Sequence, residues 1–252
     1  MPTDKELQPL QVTVNTPLTG DWKRDQSIVK EIAMQSATAE TFYDHARGIE
    51  SLFNTLTYGT PAAPNYPQRM GLLRKVHDEL YPLAHFAKLY FSASPEVVIK
   101  WQFGSQNFDA TVDDQREDTR RSNICYLEVT TLQDEEDAKQ LEELSEKGSI
   151  ETTGDQAQAN HLRKVELLRR ALEKKGRINY PEKTALLVYS DEDRFRHFYI
   201  GMQPPVIDKK RDFEAVLGEL KHLLDGFSHV FIYSKNEIYC MLQSHSEQSN
   251  LG

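Results

Sequence analysis

Two acids set in short apolar runs are the first candidates for chemistry: Asp109 in NFDATVDD (107–114) and Glu128 in ICYLEVTTL (124–132). Both runs have the β-branched and aromatic content of strands. Along a strand alternate side chains share a face, so Ile124, Tyr126, Glu128 and Thr130 fall on one side and Cys125, Leu127, Val129 and Thr131 on the other. A carboxylate flanked by Leu127 and Val129 is costly to bury unless a metal ion, a basic partner or water compensates it. Adjacent strands lie ~4.8 Å apart, so Asp109 and Glu128 can flank one pocket, with Glu79 on an upstream helix as a third acid. Oxygen-only ligands of this kind suit Mg²⁺ or Mn²⁺, an ion that polarises a phosphodiester and lowers the pKa of an attacking water. The plainer alternative is an ion pair between Glu128 and Arg120 or Arg121 of the preceding loop.

The elements that must position these acids can be read in order. Residues 1–20, with three prolines, form an arm with at most one short edge strand at 11–15. The recurrence of Ile28, Ile32, Phe42, Ile49, Leu52 and Leu56 predicts a helix over about 25–56, and YGTPAAPNYP (58–67) a loop. A second helix from about 68 turns Leu72, Val76, Leu80 and Leu83 inward, and Pro82 either kinks it near Asp78 or starts a fresh helix. Three strands follow as an antiparallel meander at 97–103, 108–112 and 124–132. Helices are expected at 135–147 and 157–175, the latter packing through Leu162, Val165, Leu168 and Leu172 with Lys164 beside that stripe. A buried strand at 184–190, a helix at 212–224 and a hairpin turning at Lys235-Asn236 complete the chain. The fold class is α/β, a central mixed sheet containing an antiparallel meander and flanked by helices. The expected division is an arm and helix over 1–66, an α/β domain over 67–243 and a flexible tail over 244–252.

The 252 residues suit one large domain, and 38% hydrophobic residues suffice for a core. No apolar run reaches the ~18–20 residues of a membrane span, and the first residues lack the basic start and apolar stretch of a signal peptide. The expected location is cytoplasmic. Cys125 and Cys240 fall in predicted strands without a CxxC pair and read as buried thiols. A net charge of −9 opposes wholesale coating of nucleic acid, yet an acidic stretch at 134–151 precedes a basic one at 161–183. Two solvated faces attracting each other account for that pattern; a basic helix meeting phosphates is the functional alternative.

The order helix, three strands, helix, strand, with an acid on the second strand and another on the third, resembles the PD-(D/E)XK, or restriction-endonuclease-like, nucleases over about 68–190. Asp109 stands at the second-strand acid, Glu128 at the third-strand acid, and Glu79 for the acid many members carry on the first helix. Phe108 replaces the usual proline, and Thr130 occupies the place of the motif lysine. Threonine cannot stabilise developing negative charge as a cation does. Some members supply the lysine from a neighbouring helix, which makes Lys164 the first candidate and Lys139 the second. The resemblance implies a nuclease that uses Mg²⁺ or Mn²⁺ on DNA or RNA. The rival is the same fold kept as an interaction or regulatory module, with Thr130 marking a degenerate site and the N-terminal helix meeting a protein partner.

Other chemistries lack their signatures: there is no GxSxG, HExxH or GxxxxGK[ST], and no GxGxxG follows a strand. His77 and His85 read as solvent-facing or capping residues, and His197 and His229 have no evident partners.

Overall fold

The computed structural model describes residues 22–58, 74–117, 120–137, 139–140, 143, 154–191 and 206–243. The expected arm, the loop at 58–67 after Tyr58, the start of the second helix up to residue 73, most of the helix at 135–147, His197 and the tail lie outside these residues.

A seven-stranded mixed sheet runs through the molecule in sequence order, β1 to β7. Its first strands, β1 (Ala37–Thr38), β2 (Val97–Trp101), β3 (Ala110–Asp114) and β4 (Tyr126–Thr131), pair antiparallel. The next, β5 (Thr184–Tyr189), is parallel to β4, and β6 (His229–Tyr233) is parallel to β5. The edge strand β7 (Ile238–Gln243) returns antiparallel. Such a sheet needs cover on both faces wherever its strands are apolar on both sides, as β5 and β6 are throughout.

On one face lie α1 (Trp22–Ala33), α2 (Ala39–Tyr58) and α3 (Tyr81–Tyr90). Val29, Phe42, Ile49 and Phe86 from these helices share a core with Ile99, Val112, Leu127 and Val129 of the sheet. The other face carries α4 (Gly154–Lys175) and α5 (Lys209–Leu220), whose Leu168, Leu172, Phe213 and Val216 meet Leu132, Leu186, Val188 and Val230. Leu127 and Val129 therefore point to the first core, and strand alternation sends Glu128 to the α4 side.

Two expectations are corrected. The helix over 25–56 is two helices, separated by β1, which pairs Ala37 with Ile99 and Thr38 with Val98. Residues of α1 and α2 contribute to the core beneath the sheet, and β1 pairs with β2. The buried stripe of α4 is also rotated from the expected one: Leu162 is 56% exposed, while His161, Lys164, Leu168 and Leu172 are buried. The kink expected from Pro82 takes the form of a π-helical turn over Val76–Leu80, closed by the Tyr81 N–H on the Val76 carbonyl. Proline has no N–H to give to the preceding turn, and a wider turn accommodates that loss.

Candidate active site

Asp109 lies where β3 leaves β4. The last rungs between those strands pair Ala110 with Leu127 and Thr111 with Tyr126. One residue earlier the Asp109 N–H still donates to the Leu127 carbonyl, and Asp109 Oδ2 accepts the Val129 N–H at 2.8 Å. The carboxylate thus takes the donor that a further strand carbonyl would have taken. Burial raises the Asp109 pKa to about 7, with the charges of Glu128 and then Glu79 adding to the rise and Lys175 and the Val129 N–H opposing it. The structure brings these three acids into one electrostatic neighbourhood.

Glu128 is 8% exposed. Its Oε1 accepts from Lys175 Nζ and, at 3.5 Å, from the Tyr180 hydroxyl. Burial raises the Tyr180 pKa, and Glu128 and Asp109 push it higher still. The ion pair expected with Arg120 or Arg121 does not form: Arg120 pairs with Glu117, and Arg121 Nε donates to the Asp114 carbonyl. Glu79, on the π-helical turn, is held by Lys75 Nζ at 2.7 Å and by Trp101 Nε1 at 3.3 Å. Burial raises its pKa against those donors, and Glu128 adds to the rise. Thr130 is half-buried two residues beyond Glu128, on the same face, and opposite Val188 of β5.

Lys175 is the residue that spacing alone does not single out. It sits in the last turn of α4, where a cation is favoured by the helix dipole, three residues after Leu172 and seven after Leu168. Those separations put it on the buried face of the helix, which is the available signal. Gly176 follows, and a Cβ there would come within 2.6 Å of the Leu223 carbonyl oxygen. Glycine lets the helix end close onto that backbone, which fixes the direction from which Lys175 approaches the sheet.

The assignment of Lys164 to the site is corrected. Its amine lies at the other end of the buried stripe, bonded to Asp137 Oδ2 and Asp191 Oδ1 at 2.8 Å each and to the Leu132 carbonyl. Arg163 joins the same network through Asp134 and Asp137. Part of the acidic-basic charge pattern is therefore an internal ion-pair cluster. Lys139 is exposed, and its amine lies 3.9 Å from Glu136. His85 is corrected too: it is 6% exposed, packed among the rings of Tyr43, Tyr81 and Tyr189.

Chemically, the site offers three carboxylates, a shared tendency to hold a proton at Asp109, and two lysines. Among the described residues, no group of three or more His, Cys, Asp and Glu side chains is arranged to hold a metal ion. No helix among them is long and apolar enough to cross a membrane. No family model matches the chain, and no curated protein or solved structure matches it either.

Proposed function

We propose that this chain is a divalent-metal-dependent nuclease of the PD-(D/E)XK kind. The observation that carries the reading is Asp109: an acid at the head of the second meander strand, raised to about 7, with Glu128 of the third strand and Lys175 of the following helix beside it. That layout is the one the resemblance implies, with the lysine moved from the strand to the helix.

The donor chemistry fits a hard cation. Mg²⁺ characteristically keeps several waters and takes one or two protein carboxylates together with substrate phosphate oxygens. Asp109 and Glu128 would hold it, and Glu79 would add negative charge nearby. When bound, such an ion supplies positive charge to the phosphodiester oxygens and a more acidic water.

The chain's own residues do the rest. The Val129 N–H donates to Asp109 Oδ2 and orients the carboxylate. Lys175 holds Glu128 and places a cation where negative charge develops on a phosphate, the part Thr130 cannot play. Lys75 and Trp101 fix Glu79.

A second reading has its own support. Lys75 and Lys175 already compensate Glu79 and Glu128, which an interaction module of this fold, free of catalysis, would retain for stability. One experiment separates the two. Under the nuclease reading, purified protein cleaves DNA or RNA only with Mg²⁺ or Mn²⁺, and Asp109→Asn abolishes cleavage. Manganese also raises the melting temperature of the wild type, by the equivalent of about 2.7 kcal/mol at a hundredfold excess over Kd, and leaves Asp109→Asn unmoved. A wild type indifferent to both ions in both assays makes the interaction module the correct reading.

A further inference from the structure

Beside the acids, two ammonium groups converge on one aromatic ring. Phe103 follows β2 in the connection to β3, half-buried and edge-on to Trp101. Lys30, from the last turn of α1, holds its amine 4.0 Å from the centre of the Phe103 ring, and Lys75 holds its amine 5.1 Å from the same centre. Lys75 is shared with Glu79. Among the described residues Lys30 forms no ion pair, and its amine is seated on the ring face.

A ring quadrupole positions a cation without neutralising it. With Lys75 engaged by Glu79, the Lys30 ammonium keeps its charge at the ring, on a chain whose net charge is −9. Lysines are compact point charges that suit a tetrahedral anion with charge on several oxygens. We infer that Lys30 and Lys75, steadied by Phe103, form a phosphate clamp that grips the substrate backbone next to the phosphate at Asp109 and Glu128. The inference rests on the nuclease reading and names what that site would grip: a polyphosphodiester chain, not an isolated phosphate ester. Trp101 links the two places, since it donates to Glu79 and packs against Phe103.

The test measures binding and cleavage separately. A labelled duplex oligodeoxynucleotide is titrated with the full chain in EDTA over a series of salt concentrations, for the wild type, Lys30→Gln, Lys30→Glu and Lys30→Arg. The clamp predicts several-fold weaker binding for Lys30→Gln and a slope of log K against log salt that is shallower by about 0.9, the share of one phosphate contact. Lys30→Glu weakens binding further, and Lys30→Arg restores the slope. Melting temperatures of the three variants are measured alongside, which separates lost binding from lost fold. Wild-type binding with a slope unchanged in Lys30→Gln overturns the clamp, whereas metal-dependent cleavage by the same protein keeps the nuclease reading. A wild type that cleaves with Mg²⁺ yet shows no salt-dependent binding also overturns it. Loss of cleavage with every divalent ion, alongside Lys30-dependent binding, removes the nuclease and leaves the clamp standing.

Discussion

Lys175 in the last turn of α4 donates to Glu128 in the middle of β4, joining a helix end to the centre of the sheet across 47 residues of chain. Both side chains are largely buried, at 17% and 10% exposure. Breaking a fully buried pair costs about 3–5 kcal/mol because the remaining charge is stranded, while an exposed pair is worth little. Lys175→Met should therefore lose about 2–3 kcal/mol, read from chemical denaturation without metal. If the lysine serves structure alone, the double variant Lys175→Met with Glu128→Leu should recover most of that loss. If it also stabilises charge in the reaction, Lys175→Arg should restore stability and part of the cleavage rate, whereas Lys175→Met remains inactive even at temperatures well below its melting point.

Asp109 should make stability fall as pH rises. Its folded pKa of about 7 lies above the unfolded value of ~3.9, so the folded state holds a proton that the unfolded state releases. The corresponding stability is fully present below about pH 4 and is lost as pH rises through about 7. Asp109→Asn removes this dependence. The difference between variant and wild type should grow between pH 4 and pH 8, with the variant the more stable at the alkaline end by up to about 4 kcal/mol. Divalent ions compete with that proton, so the Mn²⁺-induced rise in wild-type melting temperature should be larger at pH 8 than at pH 5.5. A difference that is flat with pH would refute the raised pKa.

Much of the sheet is legible in the sequence for a physical reason. The runs at 97–101, 126–131, 184–189 and 229–233 are β-branched and apolar, and Lys235-Asn236 marks the closing turn. The two-residue strand β1 is not legible, because it is too short for a period and no Gly or Pro breaks 28–56 except Gly48. On α4 the buried face carries His161, Lys164 and Lys175 among its leucines, so hydrophobic spacing rotates the helix toward Leu162. The three acids could be singled out as carboxylates in or near apolar runs. Their cation could not, since a lysine reaching across from a helix end leaves no fixed spacing to read.

Lys164 provides the contrast with Lys175. It is 3% exposed, and its amine is shared between Asp137 and Asp191. Burial raises the Asp191 pKa, and Lys164 opposes the rise. Lys164→Met takes the buried cation from Asp191, while Asp137 keeps Arg163, and should cost about 3–5 kcal/mol. Metal-dependent cleavage per folded molecule, measured well below the melting temperature, should stay at the wild-type level, because the Lys164 amine is engaged by Asp137, Asp191 and the Leu132 carbonyl. A selective loss of cleavage without loss of stability would return Lys164 to the site.

His85 should set the acid limit of the fold. Burial, joined by the nearby Lys88 and Lys235 charges, lowers its pKa to about 4, while the Lys235 backbone supplies an opposing hydrogen bond. The Nε2 atom is buried without a hydrogen-bond partner, so a proton placed there would find no acceptor. The unfolded ring titrates near ~6.5, so below that pH the unfolded state binds a proton the folded state refuses. This contribution to stability is complete above about 6.5 and is lost as pH falls through about 4, by up to about 3 kcal/mol. Tyr43, Tyr81 and Tyr189 enclose the ring, and a Phe ring fits the same aromatic contacts without titrating. His85→Phe loses the bond to Lys235 at every pH, which shifts its stability by a constant. The shape of the curve is therefore the readout: between pH 7 and pH 4.5 the wild type should lose stability faster than His85→Phe. Parallel curves would mean that the His85 ring accepts its proton inside the fold.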